Sequence, residues 1–376
     1  MKRLAFLVCF LCASTAFAAP GSGIPVEGLV LDADGKPVQG ASVRLVRRPK
    51  WYDIWTMHLE NRANPEPVAK ATSDDKGQFR VTAPEVGMWR VIVEAPGRVP
   101  RQHDLEPLLE ATTLPPVLLP ADTGLEVRVA DLKGQPVTGA HIRVTIPTRP
   151  ARPGRRYDSL FPETWEGVTR TAVTGADGRA VLPGAKGERV TVSALVPGFP
   201  LAREPETSDS PVKLALPAGC ERVLEVAARS RPVAGAVAQV SGRAVARSGE
   251  TGRLTVVVPC GKEAQVLVRT RDGHLATVTL SPITAGKEPE SPLRVAFGAP
   301  PPPLTGRVVD AVSREPVSGA FVWGEDPAAF ARTDARGSYA VAASDALQAV
   351  SPEHMPAWEA VQTPPGGPPA GPAFAL

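Results

Sequence analysis

Histidine, tyrosine and asparagine are scarce in this chain of 376 residues, at five, three and two (Asn61, Asn64). General acid–base and metal chemistry rely on such side chains, so the composition argues against an enzyme and calls for no cofactor. Aromatic residues make up only 5%. Past the first twenty residues no apolar run approaches the roughly eighteen that a spanning helix requires, so no transmembrane segment is expected in the mature chain. Neither charge sign dominates: 42 basic residues stand against 39 acidic ones, which gives no basis for nucleic-acid binding. No Gly-x-Ser-x-Gly, His-Glu-x-x-His or phosphate-binding loop occurs. What is plentiful is proline and glycine, 42 and 34 residues, about a fifth of the chain against roughly an eighth on average. Many turns and short elements follow. Hydrophobic and charged contents of 43% and 22% remain those of a folded protein.

Residues 1–18 read as an export signal: Lys2 and Arg3, an apolar run from Leu4 to Ala13, then Ala16-Phe17-Ala18 before Ala19. Leu11 before Cys12 fits a lipoprotein cleavage site poorly, so a soluble product in the periplasm, at the cell surface or outside the cell is expected. The excess of arginine over lysine, with abundant alanine and proline, points to a bacterial source. Cys220 and Cys260 are the cysteines left after processing. In an oxidising compartment they are expected to pair, the alternative being two buried thiols. Closing a loop of about 40 residues stabilises by roughly 4 kcal/mol on the chain-entropy account.

The organising signal is an internal repeat. Pro-Val-x-Gly-Ala occurs at Pro37–Ala41, Pro136–Ala140, Pro232–Ala236 and Pro316–Ala320, with spacings of 99, 96 and 84 residues. Strand-like sequence of period two flanks each phrase, and a hairpin signature follows: SDDKGQF to Phe79, TGADGRA to Ala180, SGETGRL to Leu254 and TDARGSY to Tyr339. A further strand comes next, vaguest in the fourth copy near Leu347–Val350, and each copy closes on a short apolar strand. Six or seven short strands per copy predict an all-β chain: a tandem array of four small antiparallel Greek-key β-sandwich domains. The boundaries expected are 24–120, 123–218, 219–299 and 304–376, the last shortest and carrying the tract TPPGGPPAGP. Proline-stiffened joints such as Ala299–Pro303 suggest beads on a string.

The pattern Gly-x-Val-x-Asp, Pro-Val-x-Gly-Ala-x-Val, Thr-Asp-x-x-Gly-x-Phe/Tyr, with a strand ending in Ala95-Pro96-Gly97-Arg98, resembles the carboxypeptidase regulatory-like domain. The resemblance implies a transthyretin-like, prealbumin-type sandwich, similar in outline to the B-type repeats of collagen adhesins. It is closest in copies one and four and loosest in copy three. Such domains accompany peptidases, receptors and adhesins alike, so it is specific for fold and weak for function. His103 and Glu106 have the His-x-x-Glu spacing of zinc peptidase ligands but sit in the tail of the first repeat, where two solvated strand residues are the simpler reading. An internal lysine–asparagine crosslink, which adhesin relatives carry, is disfavoured because Asn61 and Asn64 lie outside strand sequence.

Function is expected in two insertions. The phrase proline precedes the hairpin glycine by 40 and 42 residues in copies one and two, but by 20 and 21 in copies three and four. Both extra segments open with basic residues, reach a Tyr-Asp pair and continue through aromatics, holding six of the nineteen aromatic residues. Arg48, Trp51, Tyr52 and Trp55 in the first, and Arg156, Tyr157, Phe161 and Trp165 in the second, are the candidate ligand-binding residues. Aromatics stack on sugars or clasp peptides, and arginines meet acids. The alternative is that these residues cap the sandwich or its joints. Trp89 and Trp323 alternate with strand residues and read as core. The expectation is an exported, non-enzymatic protein with a structural, adhesive or protein-binding role. The alternatives are a carbohydrate-binding accessory protein that presents the paired loops to a polysaccharide, and a regulatory subunit of a secreted enzyme.

Overall fold

The computed structural model describes residues 23–147, 167–184, 187–284, 286, 291–297, 302–324, 330–342, 344, 346–361 and 371–376. The export signal, the insertion residues Arg156, Tyr157, Phe161 and Trp165, and most of the last proline-rich tract lie outside these residues.

Each Pro-Val-x-Gly-Ala phrase is one half of a hydrogen-bonded bracket, and the hydroxyl residue that opens the hairpin signature is the other. The N–H groups of Ala41, Ala140, Ala236 and Ala320 donate to the hydroxyls of Ser73, Thr174, Ser248 and Thr333 at 2.8–2.9 Å. Each hydroxyl in turn donates at 2.7 Å to the carbonyl of the phrase valine, Val38, Val137, Val233 or Val317. All four hydroxyl residues are buried, where an unpaired donor would cost about 1–3 kcal/mol. The hairpin glycines Gly77, Gly178, Gly252 and Gly337 have φ between 70° and 75°. A Cβ on any of them would collide with the carbonyl oxygen of Val30, Val129, Val226 or Val308, so the repeat needs glycine there.

Among the described residues the strands form eight sheets in one recurrent arrangement. In the first copy, Ile24–Leu31 pairs antiparallel with Gln78–Ala83 and parallel with the closing segments Thr112–Thr113 and Val117–Leu118. The facing sheet runs Ala69–Thr72, Ser42–Arg47, Gly87–Glu94, Arg101–Leu108, all antiparallel. The closing strand also pairs parallel with the opening strand in the later copies, at Val212–Ala215, Leu293–Phe297 and Ala373–Ala375. The fourth copy's vague strand is formed over Ala346–Ser351. Each sheet pair encloses its own valine-rich core, one pair per copy of the phrase. Cys220 and Cys260 are joined by a disulfide that ties the opening strand of the third pair to the end of its neighbour Arg253–Pro259. No helix of the described residues is long and apolar enough to cross a membrane.

Strands exposed on one face alternate cleanly, as in Gln78–Ala83. Gly87–Glu94 and Val237–Val240 do not: they are buried on both faces. Something covers their outer sides: the first copy's inserted segment packs on Val237, and the fourth pair packs on Met88. The arrangement therefore differs from beads on a string, because two apolar clusters cross between pairs that are distant in sequence.

Candidate functional site

The first insertion folds as a helix, α1, spanning Trp51–Leu59. Lys50 at its N-cap makes no side-chain capping bond, and nine residues are too few for a stable isolated helix. What holds it is one buried face: Ile54, Trp55, Met57 and His58 are buried while Asp53 and Glu60 are exposed. That face lies not on its own sheet pair but on the third, against Val237, Ala244 and Leu267. Full burial of side chains of this size stabilises by about 1.5–3 kcal/mol each.

Polar contacts fix the docking. The Tyr52 hydroxyl donates to the Gly235 carbonyl at 2.6 Å, and Gly235 is the glycine of the third phrase, which leaves room for the phenol. The Ala244 N–H donates to His58 Nδ1 at 3.3 Å, and Arg247 donates to Thr56 Oγ1 at 2.9 Å. The Arg269 guanidinium lies 5.4 Å from the Trp55 ring centroid. The second sheet pair joins at the same place. Asn61 Nδ2 donates to the Ala172 carbonyl, buried Arg143 donates to the Arg62 carbonyl, and buried Arg243 of the third pair donates to the carbonyl and hydroxyl of Ser193. Three sheet pairs thus meet around the end of α1. Burial, with the nearby charges of Arg143 and Arg243, holds the His58 imidazole well below its ordinary pKa, so the ring is neutral.

The candidate residues fall in different places. Trp55 is 0% exposed, which leaves no ring face for a sugar to stack on. Tyr52 is half-buried and bonded across the joint. Trp51 opens α1. Arg48 is buried on its own sheet pair, 3.9 Å from Asp104, whose other oxygen takes Arg90 at 2.6 Å. Of the first insertion, Tyr52 and Trp55 are brought together at the joint and Arg48 is not. The sequence reading missed Ile54, Met57, His58, Arg143 and Arg243. Only the first three had a signal, the helical spacing of buried positions within Trp51–Leu59.

A second joint connects the first and fourth pairs, where Met88 meets Phe321, Trp323 and Val350. Trp89 belongs to the first core, whereas Trp323, though buried, packs in this joint. The Arg332 guanidinium lies 4.6 Å from the Phe321 ring centroid.

Ser351, His354 and Asp310 line up in the fourth pair, with Ser351 Oγ 2.7 Å from His354 Nδ1 and His354 Nε2 3.0 Å from Asp310 Oδ2. The corresponding turns of the first pair hold Arg98 and Asp32, 3.4 Å apart. The alignment is therefore a tie between two turns in which histidine stands where the first pair has arginine, and Ser351 is itself buried. Backbone N–H groups of Ser313 and Val312 hold the Asp310 carboxyl down to about 2. His103 and Glu106 both lie on Arg101–Leu108, and among the described residues no three His, Cys, Asp or Glu side chains converge to hold a metal.

No curated protein sequence matches the chain. Solved structures similar to it include a type II cohesin–X-dockerin complex from Acetivibrio cellulolyticus, at 15% identity over 27% of this chain and 59% of that one, with a TM-score of 0.20. A minor pilin of Streptococcus agalactiae is 12% identical over 46% of this chain and 95% of its own, with a TM-score of 0.23. The major pilin subunit of Bacillus cereus is 12% identical over 73% and 99%, with a TM-score of 0.18. The family model of the carboxypeptidase regulatory-like domain matches residues 25–113. Those residues span most of the first sheet pair together with its inserted helix, so in this part the chain is similar to a carboxypeptidase regulatory-like domain.

Proposed function

We propose that the protein is an exported, non-enzymatic scaffold of four transthyretin-like sandwiches, 24–120, 123–218, 219–299 and 304–376, made after removal of residues 1–18. Its role is structural or adhesive, with a protein as its partner. The observation that carries this reading is the burial of α1 across a joint of three sheet pairs: the added sequence of the first copy goes into holding sandwiches together. The second insertion, with Arg156, Tyr157, Phe161 and Trp165, is the segment assigned to the partner.

The test pairs a binding titration against a panel of cell-wall and plant polysaccharides with small-angle scattering of the purified mature protein. Trp55→Ala and Trp165→Ala variants run alongside. The expected result is no saturable polysaccharide binding, and a larger radius of gyration for Trp55→Ala only. Saturable binding lost in either variant, with scattering unchanged, would overturn the scaffold reading in favour of a glycan site.

A further inference from the structure

His58 is fully buried where three sheet pairs meet, and its ring takes part in the joint as an acceptor. Because the Ala244 N–H donates to Nδ1, the neutral ring carries its proton on Nε2. Adding a second proton places a hydrogen on Nδ1, so two donors face one another. It also adds a positive charge beside the guanidinium groups of Arg143 and Arg243, which act on His58 from the second and third sheet pairs. Two further cations contact α1 from the third pair, Arg247 bonded to Thr56 and Arg269 against Trp55, and His141 of the second pair, also held below its ordinary pKa by burial, feels the charge of Arg243. The carboxylates of α1 and its end are placed elsewhere, Asp53 exposed and Glu60 paired with Arg62.

We propose that this joint is an acid-released latch, in which protonation of His58 frees α1 from the third sheet pair while the sheet pairs keep their own cores. Release uncovers two apolar surfaces, Ile54, Trp55 and Met57 on the helix and Val237, Ala244 and Leu267 on the sheet. The sign follows from linkage. Docked His58 stays neutral, whereas the freed ring takes up a proton below about 6.5. Docking is therefore fully favourable above that pH and weakens as pH falls, by up to tenfold per pH unit for one proton. The inference rests on the geometry of the joint and is independent of which partner the scaffold binds.

Amide hydrogen exchange of the purified mature protein from about pH 7 to about pH 5, corrected for intrinsic rates, reads the latch. Protection of α1 is expected to fall by up to about tenfold per pH unit below about pH 6.5, while protection of Arg253–Pro259 in the third core holds. Ring-nitrogen signals of labelled histidine should show His58 gaining its proton over the same range. In His58→Asn the amide oxygen can accept the same N–H without titrating, so protection of α1 should not depend on pH. Constant protection in the wild type, or equal loss in His58→Asn, would overturn the latch. Should His58→Asn fail to dock at neutral pH, the wild type decides alone: ring protonation coinciding with loss of protection supports the latch, and loss of protection with a neutral ring overturns it.

Discussion

At the joint between α1 and the third sheet pair, apolar burial by Ile54, Trp55 and Met57 is accompanied by hydrogen bonds from or to Tyr52, Thr56 and His58. At the joint between the first and fourth pairs, Met88, Phe321, Trp323 and Val350 close on one another, with Arg332 over the Phe321 ring. Both bury aromatic surface, so both should supply adhesion of similar size. They differ in what fixes orientation and in what can undo it. Directional bonds to a helix set one register and expose the joint to proton chemistry, whereas an apolar contact tolerates sliding and is indifferent to acid.

The largest effect is expected from Trp55→Ala, which leaves a cavity in the helix joint and should cost about 3–5 kcal/mol, read by denaturant unfolding. Phe321→Ala should cost about 3 kcal/mol, falling on the contact between the first and fourth pairs and leaving α1 protected in hydrogen exchange. If either variant weakened both joints equally, the two would be one cooperative unit. Tyr52→Phe keeps the ring and removes one donor, so about 1 kcal/mol is expected, with α1 less protected and the Phe321 contact unaltered. Arg332→Gln should be the mildest, at about 0.5–1 kcal/mol, since this cation–π contact is exposed. Lowering the pH from about 7 to about 5 sharpens the contrast, because the side chains that close the second joint, Met88, Phe321, Trp323 and Val350, do not titrate.

The repeat was legible because its cause is local. A phrase valine, its alanine and a hydroxyl residue before the hairpin form one bracket, so the same residues recur wherever the bracket does. Breaking it in one copy, as with Ser73→Ala, should cost about 1–3 kcal/mol by leaving the Ala41 N–H buried without a partner, again read by denaturant unfolding. The insertion was legible as extra sequence, and its partner surface was not. Val237, Ala244 and Leu267 look like ordinary strand residues, and nothing in the order of the chain says that the outer face of the third pair will be covered by the first. Arg143 and Arg243 were invisible for a related reason: arginine on a strand reads as a solvated residue until a second body closes over it.

Ala244 and His58 are 186 residues apart, which places the helix and its dock at widely separated moments of synthesis. At about 5–20 residues per second, α1 leaves the ribosome roughly 10–40 s before the surface it needs. Throughout that interval the growing chain carries Ile54, Trp55 and Met57 without their cover. A nascent chain stalled between the first and third copies should therefore be a stickier species than the finished protein, and its apolar helix a natural handle for the factors that escort unfinished chains.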